Sequence, residues 1–318
     1  MHPFLEHHDW SVLESITGDV SPRKYTRVEK SGRTAIFMDC CDELTDRPGL
    51  KEFVQIGSWL RDVGIRVPEI YEVDQAQKCL LLEDFGGVSF SGAIRNGMPK
   101  QEMYTLAADV LSYLRDVECL LALPRYHDTR VHALHREIID WFLPTQRDVP
   151  GGTVESYLSV WEEIEKTLPE VDYGFLHMDY HLENMMFLPD EHGIAQCGLI
   201  DFQDASIGPV PYDLANLLLD ARVSVPEDIQ NSILRSQSEE FMAWYVVLAT
   251  QFHCRVIGLF TKLAVRDRRP EYMVHVPRLA NYIHGALKHP VLRPLCTFFN
   301  DLGVDFTHVK DLNTPQDL

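Results

Sequence analysis

The spacing of apolar positions changes character part way along the chain. Over the first ninety residues or so, short β-forming runs alternate with polar breaks. Tyr25 to Val28 and Thr34 to Asp39 are two such runs, and Glu29-Lys30-Ser31-Gly32 between them has the composition of a hairpin turn. Leu50, Phe53, Ile56, Leu60 and Val63 recur at helical spacing and stop at Gly64, which predicts one helix. Two further strands are predicted at Glu69 to Val73 and Cys79 to Glu83, before a break at Gly86-Gly87. Beyond it the pattern is mainly helical. One stripe runs through Met103, Leu106, Val110, Leu114, Val117 and Leu121, another through Val154, Tyr157, Leu158, Trp161, Ile164 and Leu168, and a long one from Ser238 to Val265. Short strand-like runs at Met185 to Leu188 and Ile194 to Ile200 interrupt the helices. The expectation is an α+β chain with a small β-rich lobe over residues 1–86 and a larger helical lobe over residues 87–318.

Composition narrows the class. With 318 residues, 45% hydrophobic and 24% charged, the chain can bury a sizeable core and has no disorder signature. The formal net charge of -19 disfavours nucleic acid and anionic membrane as partners. It mildly favours a cationic ligand, although acidity most often serves solubility. No run reaches the apolar length of a membrane span, and the start MHPFLEHHDW lacks the basic and apolar regions of a signal peptide. Seven scattered cysteines, with no C-x-x-C pair, predict reduced thiols in a cytoplasmic protein. Adjacency of Cys40 and Cys41 disfavours an unstrained bond between them.

The chemistry concentrates between Phe175 and Asp220. His177-x-Asp179 is followed by Asn184, and Asp201 closes the apolar run Leu199-Ile200. Phosphoryl transfer asks for one carboxylate to orient a hydroxyl and take its proton, and for hard oxygen ligands around a divalent cation. Asp179 suits the first task; Asn184 and Asp201 suit the second. A hairpin between them would bring all three together. Competing readings are simpler. His177 suits a loop brace better than a catalyst. Zinc on His177, Asp179 and His181 lacks a fourth ligand and leaves Asn184 and Asp201 unexplained. Asp204 suits a loop cap better than a second cation ligand, and Asp213 suits a helix cap. Asp220 and Arg222 fit a substrate-facing position or a solvated helix end equally. Arg266, Arg268 and Arg269 read as a helix C-terminus facing solvent.

The segment resembles the catalytic loop and metal-binding motif of the aminoglycoside phosphotransferase-like kinases, which share the protein-kinase-like fold. It is most similar to the bacterial anomeric N-acetylmuramate/N-acetylglucosamine kinase subgroup. The shared features are Asp-Phe-Gln-Asp-Ala at 201 to 205, Gly-Pro-Val-Pro-Tyr-Asp-Leu-Ala at 208 to 215, Gly18-Asp19-Val20-Ser21-Pro22-Arg23-Lys24-Tyr25, Met38-Asp39, and Leu81-Leu82-Glu83-Asp84-Phe85-Gly86. The resemblance implies a two-lobed kinase-like fold, ATP and Mg2+ as cofactors, and a small-molecule acceptor, with oligomeric state left open. It implies Asp179 as catalytic base and Asn184 and Asp201 as metal ligands. Leu82, Glu83, Asp84 and Phe85 would receive adenine on backbone groups, and the loop at Gly18, Asp19 and Ser21 would cover the phosphates. The implied acceptor is an amino sugar or N-acetyl amino sugar, with its anomeric hydroxyl as a candidate position. An aminoglycoside, choline-like or homoserine-like alcohol is the alternative. The chain departs from protein kinases in three places. Thr34 to Asp39 carries no lysine, leaving Arg23 or Lys24 as the candidate phosphate-binding cation. Gly18 stands alone where a glycine-rich loop would be. Gln203 replaces the glycine after Asp-Phe, which argues against a mobile switch there. The missing lysine also motivates a third reading, a nucleotide-binding module without turnover.

Overall fold

A computed structural model describes residues 2–16, 23–40 and 49–309. In chain order its elements begin with α1 (Pro3–His7), β1 (Ser11–Ile16), β2 (Lys24–Lys30), β3 (Arg33–Asp39), α2 (Leu50–Asp62), β4 (Ile70–Asp74) and β5 (Cys79–Glu83). Helices α3 (Phe90–Arg95), α4 (Lys100–Arg115), α5 (Arg130–Ala133), α6 (Leu143–Gln146) and α7 (Thr153–Thr167) follow. Then come β6 (Tyr173–Leu176), β7 (Met185–Phe187), β8 (Cys197–Leu199) and β9 (Ser206–Pro209). The chain closes with α8 (Pro211–Leu218), α9 (Glu227–Leu234), α10 (Glu239–Val265), α11 (Val276–Ala286) and α12 (Arg293–Asp301). Two compact units form: Met1–Ala122 with His177–Ala205, and Leu123–Leu176 with Ser206–Leu318.

In the first unit, strand alternation sorts side chains to the two faces of one antiparallel sheet, ordered β1-β2-β3-β5-β4. Val28, Ala35, Phe37, Cys79 and Leu81 face one side and pack with Phe4 and Leu5 of α1. Arg23, Tyr25 and Arg27 alternate with them and fall on the other side, where Tyr25 pairs with Met38 and Arg27 with Ile36. The expected hairpin is present, turning at Ser31 and Gly32, both at positive φ. Glu52 starts α2 by accepting the Gly49 N–H at 2.8 Å. The predicted helix over 103–121 is shorter than its apolar stripe: α4 ends at Arg115, and Val117 and Leu121 lie beyond it. The run Ile194 to Ile200 is strand only over Cys197–Leu199, preceded by a 3-10 turn.

The second unit is built around α10, whose 27 residues are mostly buried. Among the described residues it is the one helix long and apolar enough to cross a membrane, but 72% of its most apolar stretch is enclosed by the fold, which marks a core helix. Trp161, Tyr157, Ile257, Leu279, Ile283 and Leu295 belong to the core around it. A π turn at Ile138–Phe142 lies against it at Gly258, where a Cβ would collide with the Glu137 carbonyl. Beside that contact the buried Glu137 carboxylate accepts from Lys262 Nζ at 2.6 Å. Asp220 is buried and accepts the Arg222 N–H at 2.6 Å, so its carboxylate caps the turn after α8. Cys40, Cys79, Cys119, Cys197, Cys254 and Cys296 are free thiols.

His253, at the middle of α10, stacks on Tyr282 at 4.8 Å and donates Nε2–H to the Leu219 carbonyl at 2.9 Å. Its Nδ1 is buried without a partner, and burial lowers the pKa from 6.5 to about 4. Above pH 6.5 neither folded nor unfolded chain carries this proton. Between 6.5 and 4 the unfolded chain takes it and the folded chain does not, so stability falls as pH falls. Denaturant unfolding across that interval should show His253→Gln losing roughly 3 kcal/mol less than the unsubstituted chain; equal losses would refute the assignment.

Candidate active site

Asp179, Asn184 and Asp201 all fall in the first unit, and short local interactions bring them together. Strands β7 and β8 pair Met185 with Leu199, Met186 with Gly198 and Phe187 with Cys197. That register places Asn184 opposite Ile200, whose N–H donates to the Asn184 carbonyl at 3.1 Å. Asp201 follows at once. On the other side of Ile200, its carbonyl accepts Nε2–H of His177 at 3.0 Å. His177 is fully buried, and burial lowers its pKa against the opposing pull of Asp179 and Asp201. The imidazole is therefore held neutral as a brace between the loop that carries Asp179 and the β7–β8 hairpin. Tyr180, also fully buried, ties the same loop to α4 through its hydroxyl and the Ala107 carbonyl at 2.8 Å.

Asp179 keeps about half of its side chain exposed. Asn184 Nδ2 donates to the Asp179 carbonyl at 3.0 Å and to its Oδ2 at 3.1 Å. With Nδ2 committed there, Oδ1 is the Asn184 atom that can face a cation. Asp201 sits at φ 63, in the left-handed region that a β-carbon disfavours. Its neighbour Phe202 is fully buried, stacks on Phe53 of α2 at 4.7 Å and fills the space over Gly57. Gln203, also buried, donates from Nε2 to Asp201 Oδ1 at 2.7 Å. This side chain stands where protein kinases have glycine, and it fixes the Asp201 carboxylate.

Three carboxylates, of Asp179, Asp201 and Asp204, crowd this corner. Asp204 is exposed as a residue, yet protein atoms around its carboxyl first, and the Asp201 charge second, raise its pKa; Arg23 pulls it back. Arg23 is itself buried and hydrogen bonds Tyr25, whose phenol is pushed well up by burial and by Asp201. Lys24 points to the opposite face of β2 and is exposed. Strand alternation thus separates the two candidate cations, and Arg23 is the one beside the carboxylates. An excess of hard oxygens that repel one another is a donor set suited to a divalent cation.

The Leu82–Phe85 segment leads out of β5. Arg27 donates from Nε to Asp84 Oδ2 at 2.8 Å, and Arg66 donates from Nη1 to Glu83 Oε2 at 2.7 Å. Burial alone would raise both carboxyl pKa values, but the guanidinium partners hold them below the usual range. Both acidic side chains are therefore spent on structure. Phe85 lies under the Arg66 guanidinium at 4.6 Å and over Gly198. Gly18, Asp19 and Ser21 lie outside the described residues. Sequence reasoning did not single out Tyr180, Ile200 or Glu183; the last accepts from Ser89 Oγ at 2.7 Å and secures the start of the hairpin. No motif marks these three, because each acts through tertiary contacts; the sequence likewise left Arg23 and Lys24 undecided.

Residues 12–245 match the model of the Phosphotransferase enzyme family, and the chain belongs to that family. It is a small-molecule kinase with the protein-kinase-like fold, and its family implies use of a nucleotide. Over 90% of its length it is 28% identical to the N-acetylmuramate/N-acetylglucosamine kinase of Caulobacter vibrioides, covering 91% of that protein. It is also 28% identical to the kinase of the same name from Pseudomonas aeruginosa, over 88% of this chain and 85% of that one. Among solved structures, choline kinase LicA from Streptococcus pneumoniae is similar in fold, with TM-score 0.63, 16% identity, and coverage of 90% of this chain and 98% of that one. A thermostable mutant of aminoglycoside phosphotransferase APH(4)-Ia matches with TM-score 0.60 at 13% identity, covering 90% and 99%.

The hairpin leaves no room for a side chain at Gly198: a Cβ would stand 2.6 Å from Phe85 Cε2 and 3.1 Å from Leu188 Cδ1. Gly198→Ala should cost about 1–3 kcal/mol by overpacking, lower the melting temperature, and lower turnover because Asn184 and Asp201 ride on the displaced strands. Adding Phe85→Leu should restore most of the stability. Unchanged melting in Gly198→Ala would show that the contact is not tight.

Proposed function

We propose that the chain transfers the γ-phosphoryl group of ATP to a hydroxyl of an N-acetyl amino sugar, at the anomeric position. The observation that carries this reading is the grouping of Asp179, Asn184 and Asp201 on one loop-and-hairpin, in a chain similar over about nine-tenths of its length to kinases named for those sugars. Asp179, half exposed and oriented by Asn184, accepts the proton of the acceptor hydroxyl. The hydroxyl oxygen forms a bond to the γ-phosphorus as the bond from that phosphorus to the β-phosphate oxygen breaks, leaving ADP. Asn184 Oδ1 and the Asp201 carboxylate would hold Mg2+, which when bound neutralises phosphate charge. Gln203 keeps the Asp201 carboxylate in place. Arg23 supplies the phosphate-facing cation that the strand Thr34 to Asp39 lacks, and Lys24 does not. Leu82, Glu83, Asp84 and Phe85 receive the adenine through backbone groups, since the two acidic side chains are engaged elsewhere. The loop at Gly18, Asp19 and Ser21 covers the phosphates.

Incubation with ATP, Mg2+ and N-acetylglucosamine or N-acetylmuramate should yield the sugar 1-phosphate, detected by 31P NMR. Turnover with aminoglycosides or choline-like alcohols, and none with the sugars, would overturn the acceptor assignment and leave the phosphotransfer reading intact. Asp179→Asn should lower kcat by about 10²–10⁴-fold while calorimetry shows nucleotide binding retained; full activity would remove Asp179 from the base role. Arg23→Ala should weaken nucleotide binding by about 1.5–3 kcal/mol, the scale of a charge-assisted hydrogen bond. Lys24→Ala should leave it unchanged, and the reverse pattern would exchange their roles.

A further inference from the structure

Within the second unit, three side chains that play no part in the proposed phosphotransfer converge. His127 follows Tyr126 in a 3-10 turn, His132 lies in α5, and Glu165 is near the end of α7. His127 Nε2 is 3.2 Å from Glu165 Oε2, and His132 Nε2 is 3.8 Å from Glu165 Oε1. One ligand atom from each residue lies within 4.8 Å of the other two.

Hydrogen bonding accounts for only part of the arrangement: His127 and Gln251 reach the Glu165 carboxylate. His132 Nε2 is buried and has no hydrogen-bond partner, and at 3.8 Å it is beyond bonding distance of the carboxylate. An unpaired buried ring nitrogen costs free energy unless something takes it up. The carboxylate is meanwhile fixed from behind. Gln251 Nε2 donates to Glu165 Oε1 at 2.6 Å, and the Tyr126 hydroxyl donates to Gln251 Oε1 at 3.2 Å. A ligand carboxylate held by a buried outer partner is the usual construction around a protein-bound metal. His127 keeps 34% of its side chain exposed, which gives an ion a way in.

We propose that His127, His132 and Glu165 form a zinc(II) site. Two imidazoles and one carboxylate are a borderline-soft donor set that suits zinc, with the fourth tetrahedral position left to water. Tetrahedral ligation at about 2.0–2.1 Å puts ligand atoms roughly 3.3–3.4 Å apart. The His127–Glu165 pair, at 3.2 Å, is close to that spacing; the three ligand atoms lie within 4.8 Å of one another, so the His132 ring must move inward to join. Bound zinc would clip the turn at Tyr126–Asp128 and α5 to α7. The site is independent of the acceptor assignment, and its test does not use phosphotransfer.

The experiment uses the full chain, stripped with chelator and dialysed, without nucleotide. ZnCl2 is added in a calorimeter, and the melting temperature is followed in parallel. One equivalent of zinc should bind and raise the melting temperature by mass action. His127→Ala, at the partly exposed position, and Glu165→Gln should each weaken that binding by on the order of 10²-fold. Circular dichroism and melting of the zinc-free variants establish that they remain folded. Cobalt(II) in place of zinc should give the visible absorption of a four-coordinate nitrogen–oxygen site, and His127→Ala should abolish it. No binding to the unsubstituted chain overturns the site. Binding that survives both substitutions also overturns it, and places the ion elsewhere, for example on His7 and His8 near the N-terminus.

Discussion

The main chain of Ile200 holds the candidate active site together. Its N–H is given to the carbonyl of Asn184, and its carbonyl takes the imidazole hydrogen of buried His177. One residue thus couples the loop that carries Asp179 to the strand that delivers Asp201. Because His177 is neutral and enclosed, water does not compete for the bond. The Met185–Leu199 pairing then leaves little freedom in the separation between Asn184 and Asp201.

Rigidity at this point supports backbone conformations that would otherwise be disfavoured. Met178 and Asp201 both have positive φ, at 75 and 63. Non-glycine residues in that region cost about 1–3 kcal/mol each and persist where their surroundings fix them. Met178 lies between His177 and Asp179; Asp201 lies between Ile200 and the buried ring of Phe202. In each case the strained residue is flanked by an anchored one, so the strain aims a carboxylate instead of relaxing. Gln203 completes the arrangement by bonding the Asp201 carboxylate directly.

Much of this was legible in the amino-acid sequence because it depends on local periodicity. The β2–β3 hairpin, α2, β5, α7 and α10 follow from alternation or helical spacing, and the Asp179, Asn184, Asp201 spacing led to the family that the chain belongs to. Other elements left little trace. All six residues of β1 are exposed at a sheet edge, so no buried face marks the strand. Strands β6 and β9 are four residues each, and their pairing joins segments some thirty residues apart. The apolar stripe through Val117 and Leu121 continues past the end of α4 because periodicity alone does not mark where a helix stops. His127, His132 and Glu165 are brought together only by tertiary packing, with no motif between them.

The side of the sheet that β2 presents to the carboxylates has a chemical consequence for reagents as well as substrates. Arg23 lies there, buried beside Tyr25, while Lys24 emerges on the opposite face. A guanidinium stays protonated across the accessible pH range and does not acylate as an amine does. Nucleotide analogues that find kinases by transferring an acyl group to a strand lysine would pass this chain without labelling that strand. Those aimed at exposed amines would mark Lys24 whether or not nucleotide is bound, so protection by ATP would be a poor guide to occupancy here.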